Sequence, residues 1–218
     1  YKTGHRINQP FYLESLGYYT QEDVDNQDVE KPTWKDVVPG DLKYKDWNGD
    51  GIIDNNDSAP FGYTNVPEMT IGLNLGFSYK NLDVSAFLHA ALNRSVYLDA
   101  SYYKAFQNNG SVSEFALNRW TSEEMAHTAT YPRLSLTNEQ NNYRTSTFWM
   151  RNGNFLKLRD VEIGYTFKNI IPTAKADLRI FVNGTNLFAV DNVDGYDSER
   201  IGGYPAVRTV SLGANIQF

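Results

Sequence analysis

Cysteine is missing from all 218 residues, which excludes a disulfide framework and thiolate metal sites and leaves the compartment open. Long apolar runs are missing too, since no stretch approaches the roughly 18 apolar residues of a spanning helix. Basic charge is in deficit: 20 Lys and Arg stand against 26 Asp and Glu, a net charge of -6. Phosphate binding needs the opposite sign, so nucleic acid is not expected as a partner. The chain also opens without Met and without a basic segment leading into an apolar run and a cleavage site. Tyr1-Lys2-Thr3-Gly4-His5-Arg6 reads instead as the interior of something longer, so a fragment is expected. Finally, His5, His89 and His127 are scattered, and no Ser-His-Asp or paired-carboxylate set stands out. No enzyme is expected. Arg133 and Arg208 read as salt-bridge partners in a lumen or loop.

What is present is aromatic and alternating. Phe, Trp and Tyr make up 14% of the chain, with 15 Tyr and 12 Phe. Mean hydropathy is -0.52, but membrane strands of about 9–11 alternating residues barely raise that average. In Val207 to Phe218, Val210, Leu212, Ala214, Ile216 and Phe218 share one face, opposite Thr209, Ser211, Gly213, Asn215 and Gln217. Period two with one apolar and one small polar face marks a strand between two different media. Ile71 to Tyr79 and Leu82 to Ala90 repeat the pattern around Lys80-Asn81, predicting a tight hairpin. Further strands are predicted over Phe155–Phe167, Leu178–Leu187 and Phe11–Tyr19. In the first of these Lys157 and Arg159 fall on the apolar parity, which a bulge or snorkelling would explain.

Connection lengths separate the fold classes. Lys80-Asn81 and Lys168–Lys175 are short, whereas Thr20–Pro67, Asn93–Asn154 and Ala189–Tyr204 are long and polar. Outer-membrane barrels have short periplasmic turns and long external loops, and compact soluble domains seldom carry such loops. The expected class is all-β: antiparallel strands forming the C-terminal segment of a large transmembrane barrel, residues 1–218. Five or six strands cannot close such a barrel, since the smallest have about eight. The competing soluble reading is a secreted, calcium-stabilised β-sandwich that binds carbohydrate.

Two local motifs stand out. Ser211-x-Gly213-x-x-Ile216-x-Phe218 is similar to the C-terminal signal by which the barrel assembly machinery recognises bacterial outer-membrane proteins. A terminal aromatic at lipid parity would also settle in the interfacial girdle. Residues 46–57 run Asp-Trp-Asn-Gly-Asp-Gly-Ile-Ile-Asp-Asn-Asn-Asp. Oxygen-bearing Asp46, Asn48, Asp50, Asp54 and Asp57 occupy positions 1, 3, 5, 9 and 12, with Gly51 at 6 and the Ile52 carbonyl at 7. That is EF-hand-type calcium spacing with Asp in place of the final Glu. The flanks are not helical, so a structural Ca²⁺ stiffening an external loop is expected.

Taken together, the chain resembles the C-terminal part of a SusC/RagA-like TonB-dependent outer-membrane transporter. The resemblance rests on Gly40-Asp41-Leu42-Lys43-Tyr44-Lys45-Asp46 leading into Asn48-Gly49-Asp50-Gly51, then Trp120, Tyr131-Pro132-Arg133 and Asn141-Asn142. Phe148-Trp149, Asn152-Gly153, Phe155 to Arg159 and Gly164-Tyr165-Thr166-Phe167 follow in order. Asn183 to Phe188, Gly195-Tyr196-Asp197, Tyr204-Pro205 and Arg208 complete it. It implies a plugged barrel of about 22 strands, import of oligosaccharides or peptides with TonB energy, and a SusD-like surface lipoprotein as lid. The TonB contact and plug would lie in sequence outside these residues. Tyr102, Tyr103, Phe106 and Trp120 are the candidate aromatics for stacking on substrate; Phe148 and Trp149 suit a girdle or a strand start. Counting back from a periplasmic Phe218 puts Lys80-Asn81 and Ile170–Pro172 in the periplasm and the long loops outside the cell.

Overall fold

The computed structural model describes residues 2–99, 102–136, 140–173, 175–193, 195, 197–200 and 203–218, the side chain of Asn108 excepted. The chain divides into two compact units, Tyr1–Thr64 with Tyr97–Arg151, and Asn65–Val96 with Asn152–Phe218. Among the described residues no helix is long and apolar enough to cross a membrane, which does not bear on strands.

The second unit is one five-stranded antiparallel sheet. Its strands are β1 (Met69–Tyr79), β2 (Leu82–Leu92), β3 (Phe155–Ile171), β4 (Ala176–Asp191) and β5 (Thr209–Gln217), hydrogen-bonded in the order β5-β4-β3-β2-β1. The order is a plain meander, so short and long connections fall at opposite ends of the strands. Lys80, in the left-handed region at φ 56°, turns the first hairpin, and Tyr79 pairs with Leu82 across it. The register places the apolar residues of neighbouring strands side by side: Phe77 opposite Val84, Ile163 opposite Val84 and Val182, Leu212 opposite Val182. Directly opposed residues share a face, so these form one continuous apolar surface. It is open: Phe77 is 60% exposed and Leu212 77%. A contiguous apolar face of this kind needs an apolar solvent or a cover.

Lys157 and Arg159 are settled by a bulge. Leu158 pairs with Leu88 but Asp160 pairs with Phe87, so Arg159 is an extra residue against β2. The extra residue flips parity, returning Leu156 and Leu158 to the apolar face and turning Lys157 to the polar one. Opposite the bulge, Asn186 of β4 is left-handed at φ 52°.

The strand predicted over Phe11–Tyr19 is not part of this sheet, so the sheet has five strands and not six. It breaks into Phe11–Tyr12, paired with Ala59–Pro60, and Ser15–Tyr18, paired with Leu42–Tyr44. Gly17 at φ 108° sits at the register shift that follows Ser15 in the second pair. The first unit is built from such short pairs, including the parallel Lys31–Pro32 with Ile52–Ile53. Its one helix, Gln21–Asp25, is closed by a reciprocal Thr20–Asp23 capping box. Leu13, Leu42, Tyr44 and Ile53 form its core, with Tyr18, Trp34 and Phe148 against them. Each fully buried large side chain contributes about 1.5–3 kcal/mol. Trp149 is buried and packs on Tyr131 and Phe148, so it is a core residue of this unit and not part of an interfacial girdle. Among the described residues the other sheets have two strands each, so there is no second large sheet to stack as a sandwich requires.

Candidate functional sites

The acidic loop grows directly out of the core of the first unit. Tyr44 is buried immediately before it, and Ile53, at its eighth position, is fully buried within the same cluster. Gly49 and Gly51 are left-handed at φ 73° and 86°, conformations that favour glycine. The Asp46 carboxylate accepts from the Gly49 and Gly51 N–H groups at 2.6 and 2.8 Å. Asp50 accepts from Ile52 N–H, and Asp57 from Trp47 and Asp54 N–H. Asp54 caps the 3₁₀ turn Asn55–Asp57 by accepting from Asn56 N–H. The Gly51 N–H foremost, with that of Gly49, holds the Asp46 carboxyl below its ordinary range despite some desolvation. Among the described residues no three His, Asp or Glu side chains are gathered as a metal-holding group. The backbone is therefore curved as the spacing predicts, while the side chains are spent on the loop's own N–H groups. A carboxylate has about four lone-pair directions, so Asp46 keeps acceptor capacity.

Beneath this loop the scattered motifs meet. Asp41 is fully buried, forms an ion pair with Arg133 (Nε to Oδ1 2.6 Å), and accepts from Arg133 Nη2 at 3.3 Å and from the Asn142 amide at 3.0 Å. The Asn142 side-chain oxygen accepts from Leu42 N–H at 2.8 Å, and the Asn141 amide donates to the Leu42 carbonyl at 2.8 Å. Trp34 Nε1 donates to the Asn141 side chain, Tyr44 Oη to the Asn141 carbonyl, and Trp149 Nε1 to the Asn142 carbonyl. Burial pushes the Tyr44 hydroxyl well above the usual phenol range. Two asparagine side chains thus act as a surrogate strand for residues 41–42, giving the Leu42 N–H and carbonyl their partners. Gly40, at φ 86°, lies under the Trp120 ring, where a Cβ would collide with it. Arg133 is the loop salt-bridge partner it was expected to be.

The four candidate aromatics separate. Tyr103 is fully buried against Tyr102 and Phe115, and the Tyr131 hydroxyl donates to its carbonyl. It packs the loop and is not available to a substrate. Trp120 is half-buried, with its ring against Gly40. Phe106 is half-buried and left-handed, and Tyr102 remains 38% exposed, its hydroxyl donating to Glu114.

The polar face of the sheet carries two charged clusters. Arg179 of β4 lies across β3 to pair with Asp83 of β2 and with Glu162 of β3, at 2.6 Å for the latter. Gly164 makes this crossing possible, since a Cβ there would stand 2.6 Å from the guanidinium Cζ. Nearer the long connections, Lys157 pairs with Asp197 and Glu199, and Arg159 with Glu199. Burial opposes ionisation of Asp197 and Glu199, but the cations outweigh it and both stay below their ordinary values. The sequence pattern marked Lys157 and Arg159 only as misfits, and nothing marked Arg94, which belongs to the same cluster. Tyr196 lies outside the described residues.

In the terminal motif, Ser211 pairs with Asn183 and Ile216 with Leu178. Gly213 sits under the Phe181 ring, where a Cβ would clash, and Phe218 projects 83% exposed beyond the last pair.

No family model matches the chain. TonB-dependent receptor P26 of Formosa agariphila is 28% identical to it over 226 residues, covering 91% of this chain and 21% of the relative. TonB-dependent receptor SusC of Bacteroides thetaiotaomicron is 30% identical over 189 residues, covering 83% of this chain and 18% of the relative. The fold is similar to a chain of the RagAB peptide importer in its open-open state, with TM-score 0.65 and 19% identity over 96% of this chain and 22% of that one. The closed-closed state gives TM-score 0.63 at 18% identity. The chain spans about a fifth of the length of the relatives it matches.

Proposed function

The chain belongs to the SusC/RagA-like TonB-dependent outer-membrane receptors, and on that premise we propose that it supplies the last five strands and external loops of a nutrient importer. Support comes foremost from the sheet: a five-stranded meander with one exposed apolar face, and with its long connections all at one end. The whole protein imports an oligosaccharide or a peptide, driven by TonB through parts beyond these residues, with a SusD-like lipoprotein as its external partner. The C-terminus is periplasmic, Ser211, Gly213, Ile216 and Phe218 are read by the barrel assembly machinery, and the first unit faces outward. Tyr102 and Phe106 are the aromatics left to stack on solute. The test is fractionation of the full-length protein followed by uptake assays with labelled glycans and peptides. Recovery in the outer membrane with uptake lost on deletion of TonB is expected. A freely soluble full-length protein overturns the reading.

Within this assembly residues 46–57 hold one structural Ca²⁺ through the side chains of Asp46, Asn48, Asp50, Asp54 and Asp57 and the Ile52 carbonyl. The curved backbone and the spare acceptor capacity of Asp46 support this fit. The ion would supply rigidity to the outward loop, not chemistry. Calorimetric titration of the full-length protein should show Ca²⁺ binding that Asp46→Asn and Asp57→Asn weaken at least tenfold. No heat at millimolar Ca²⁺ would sink the assignment.

A further inference from the structure

We propose that the cleft around Arg94, on the polar face of the sheet, binds a carboxylate group of the transported solute; this rests on the import reading above. The cleft has a volume of ≈ 310 Å³ and is lined by Asn65, Thr70, His89, Arg94, Phe155 and Glu199, all within the second unit.

The charges of this cluster do not balance. Lys157, Arg159 and Arg94 bring three cations, and Asp197 and Glu199 bring two carboxylates. Asp197 is taken by Lys157, and Glu199 by Lys157 and Arg159. Arg94 is left over. Its guanidinium donates from Nε to the Asn65 carbonyl at 3.2 Å and from Nη1 to the Ser198 carbonyl at 3.0 Å. Among the described residues it has no carboxylate within ion-pair distance. Yet it is only 9% exposed. Glu199 acts on it only at longer range and is already shared by Lys157 and Arg159, so an anion arriving in the cleft would offset part of the cost of burying the guanidinium. Nη2 remains for such a ligand, and arginine's planar fork suits an oxyanion.

The rest of the cleft supports a small organic acid. Phe155, buried, lies under the Arg94 guanidinium at 5.8 Å and provides an apolar wall. Arg159 Nη2 donates to His89 Nδ1 at 3.2 Å, and the tautomer that accepts there carries its hydrogen on Nε2. Glu199 on the rim disfavours a doubly charged phosphate, whereas one surplus positive charge matches a monoanion. The arginine stem is also closely packed: a Cβ at Gly153 would stand 2.8 Å from Val96 and 3.2 Å from Arg94 Cγ. Gly153 N–H in turn donates to the Arg94 carbonyl.

A carboxylate could come from a peptide C-terminus or from a uronic acid, and paired probes separate these sources. The full-length transporter in detergent would be titrated with tetraalanine and its C-terminal amide, and with tetragalacturonate and its methyl ester. One acid should bind at least about tenfold more tightly than its neutral counterpart, the size expected for a charge-assisted hydrogen bond. Which acid does so identifies the source. Arg94→Gln should abolish the preference and Arg94→Lys should retain part of it. Equal binding of acid and neutral forms overturns the proposal, as does failure of both acids to bind at millimolar concentration. Failure of both acids together with a lowered melting temperature for Arg94→Gln would assign Arg94 to a carboxylate elsewhere in the transporter, which also overturns it. None of these results touches the import reading, which fails instead by solubility or by TonB-independent uptake.

Discussion

Asn141 and Asn142 look unremarkable in a polar stretch, yet they satisfy backbone groups about a hundred residues away. Their order after Tyr131-Pro132-Arg133 was readable as a family resemblance; their partners were not, because side-chain-to-backbone pairing leaves no periodic trace. The same holds for Gly164, which leaves space for an arginine from the neighbouring strand. Two predictions belong at this scale. Arg133→Met strips the fully buried Asp41 of its ion-pair partner and should destabilise the first unit by about 3 kcal/mol, the lower end for breaking a buried pair, since Asn142 and Val38 N–H still donate to Asp41. Thermal unfolding of the full-length protein followed by limited proteolysis of residues 1–64 would measure it. Gly164→Ala should push Arg179 off Asp83, at a cost of about 1 kcal/mol or less given the partial exposure of both groups. The distinctive expectation is non-additivity: once Gly164→Ala is present, Asp83→Asn should add almost nothing. Additive losses would mean that the bridge does not depend on the glycine.

Among the elements, the five long strands were legible because each separates two media, and that requirement writes period two into the sequence. The short pairs were not. A two-residue strand carries no period, and Phe11–Tyr19 alternates enough to imitate a barrel strand although its two pieces pair with different partners. The bulge in β3 was half legible: two cations on the wrong parity announced a fault but not its position. Its consequence is to bring Lys157 and Arg159 to the loop carrying Asp197 and Glu199, which gives that loop a pH dependence. Both carboxyls are held below their ordinary values of 3.8 and 4.5, so the folded form binds fewer protons than the unfolded one. The stabilisation is therefore full above about pH 5 and lost as pH falls through the lowered values, below about 4. Hydrogen exchange across residues 197–208 should accelerate in that window. Lys157→Met should abolish most of the acid sensitivity; an unchanged profile would place the anchoring elsewhere.

At the scale of the whole molecule, the sheet is incomplete by design of its edges. Among the described residues, the outer edges of β1 and β5 pair with nothing, and such edges are stable only when another strand or a cover completes them. A barrel supplies both what the edges need and what the apolar face needs, since closure removes edges and lipid solvates the face. This makes the two faces experimentally distinct. Leu75→Arg and Leu212→Arg place a cation on the apolar face and should each cost about 2–4 kcal/mol of barrel stability if near the midplane. Asn74→Arg and Thr209→Arg, on the polar face, should be tolerated. A covered sandwich would also reject the first pair, so a second measurement is needed, and the absence of cysteine in these residues provides it. Leu75→Cys and Leu212→Cys in the membrane-embedded protein should react with a lipid-soluble maleimide and resist a charged, impermeant one. An apolar face buried under protein would resist both. Labelling by the impermeant reagent alone would place the face in water, and only reaction from the lipid side agrees with strands that divide a bilayer from an aqueous lumen.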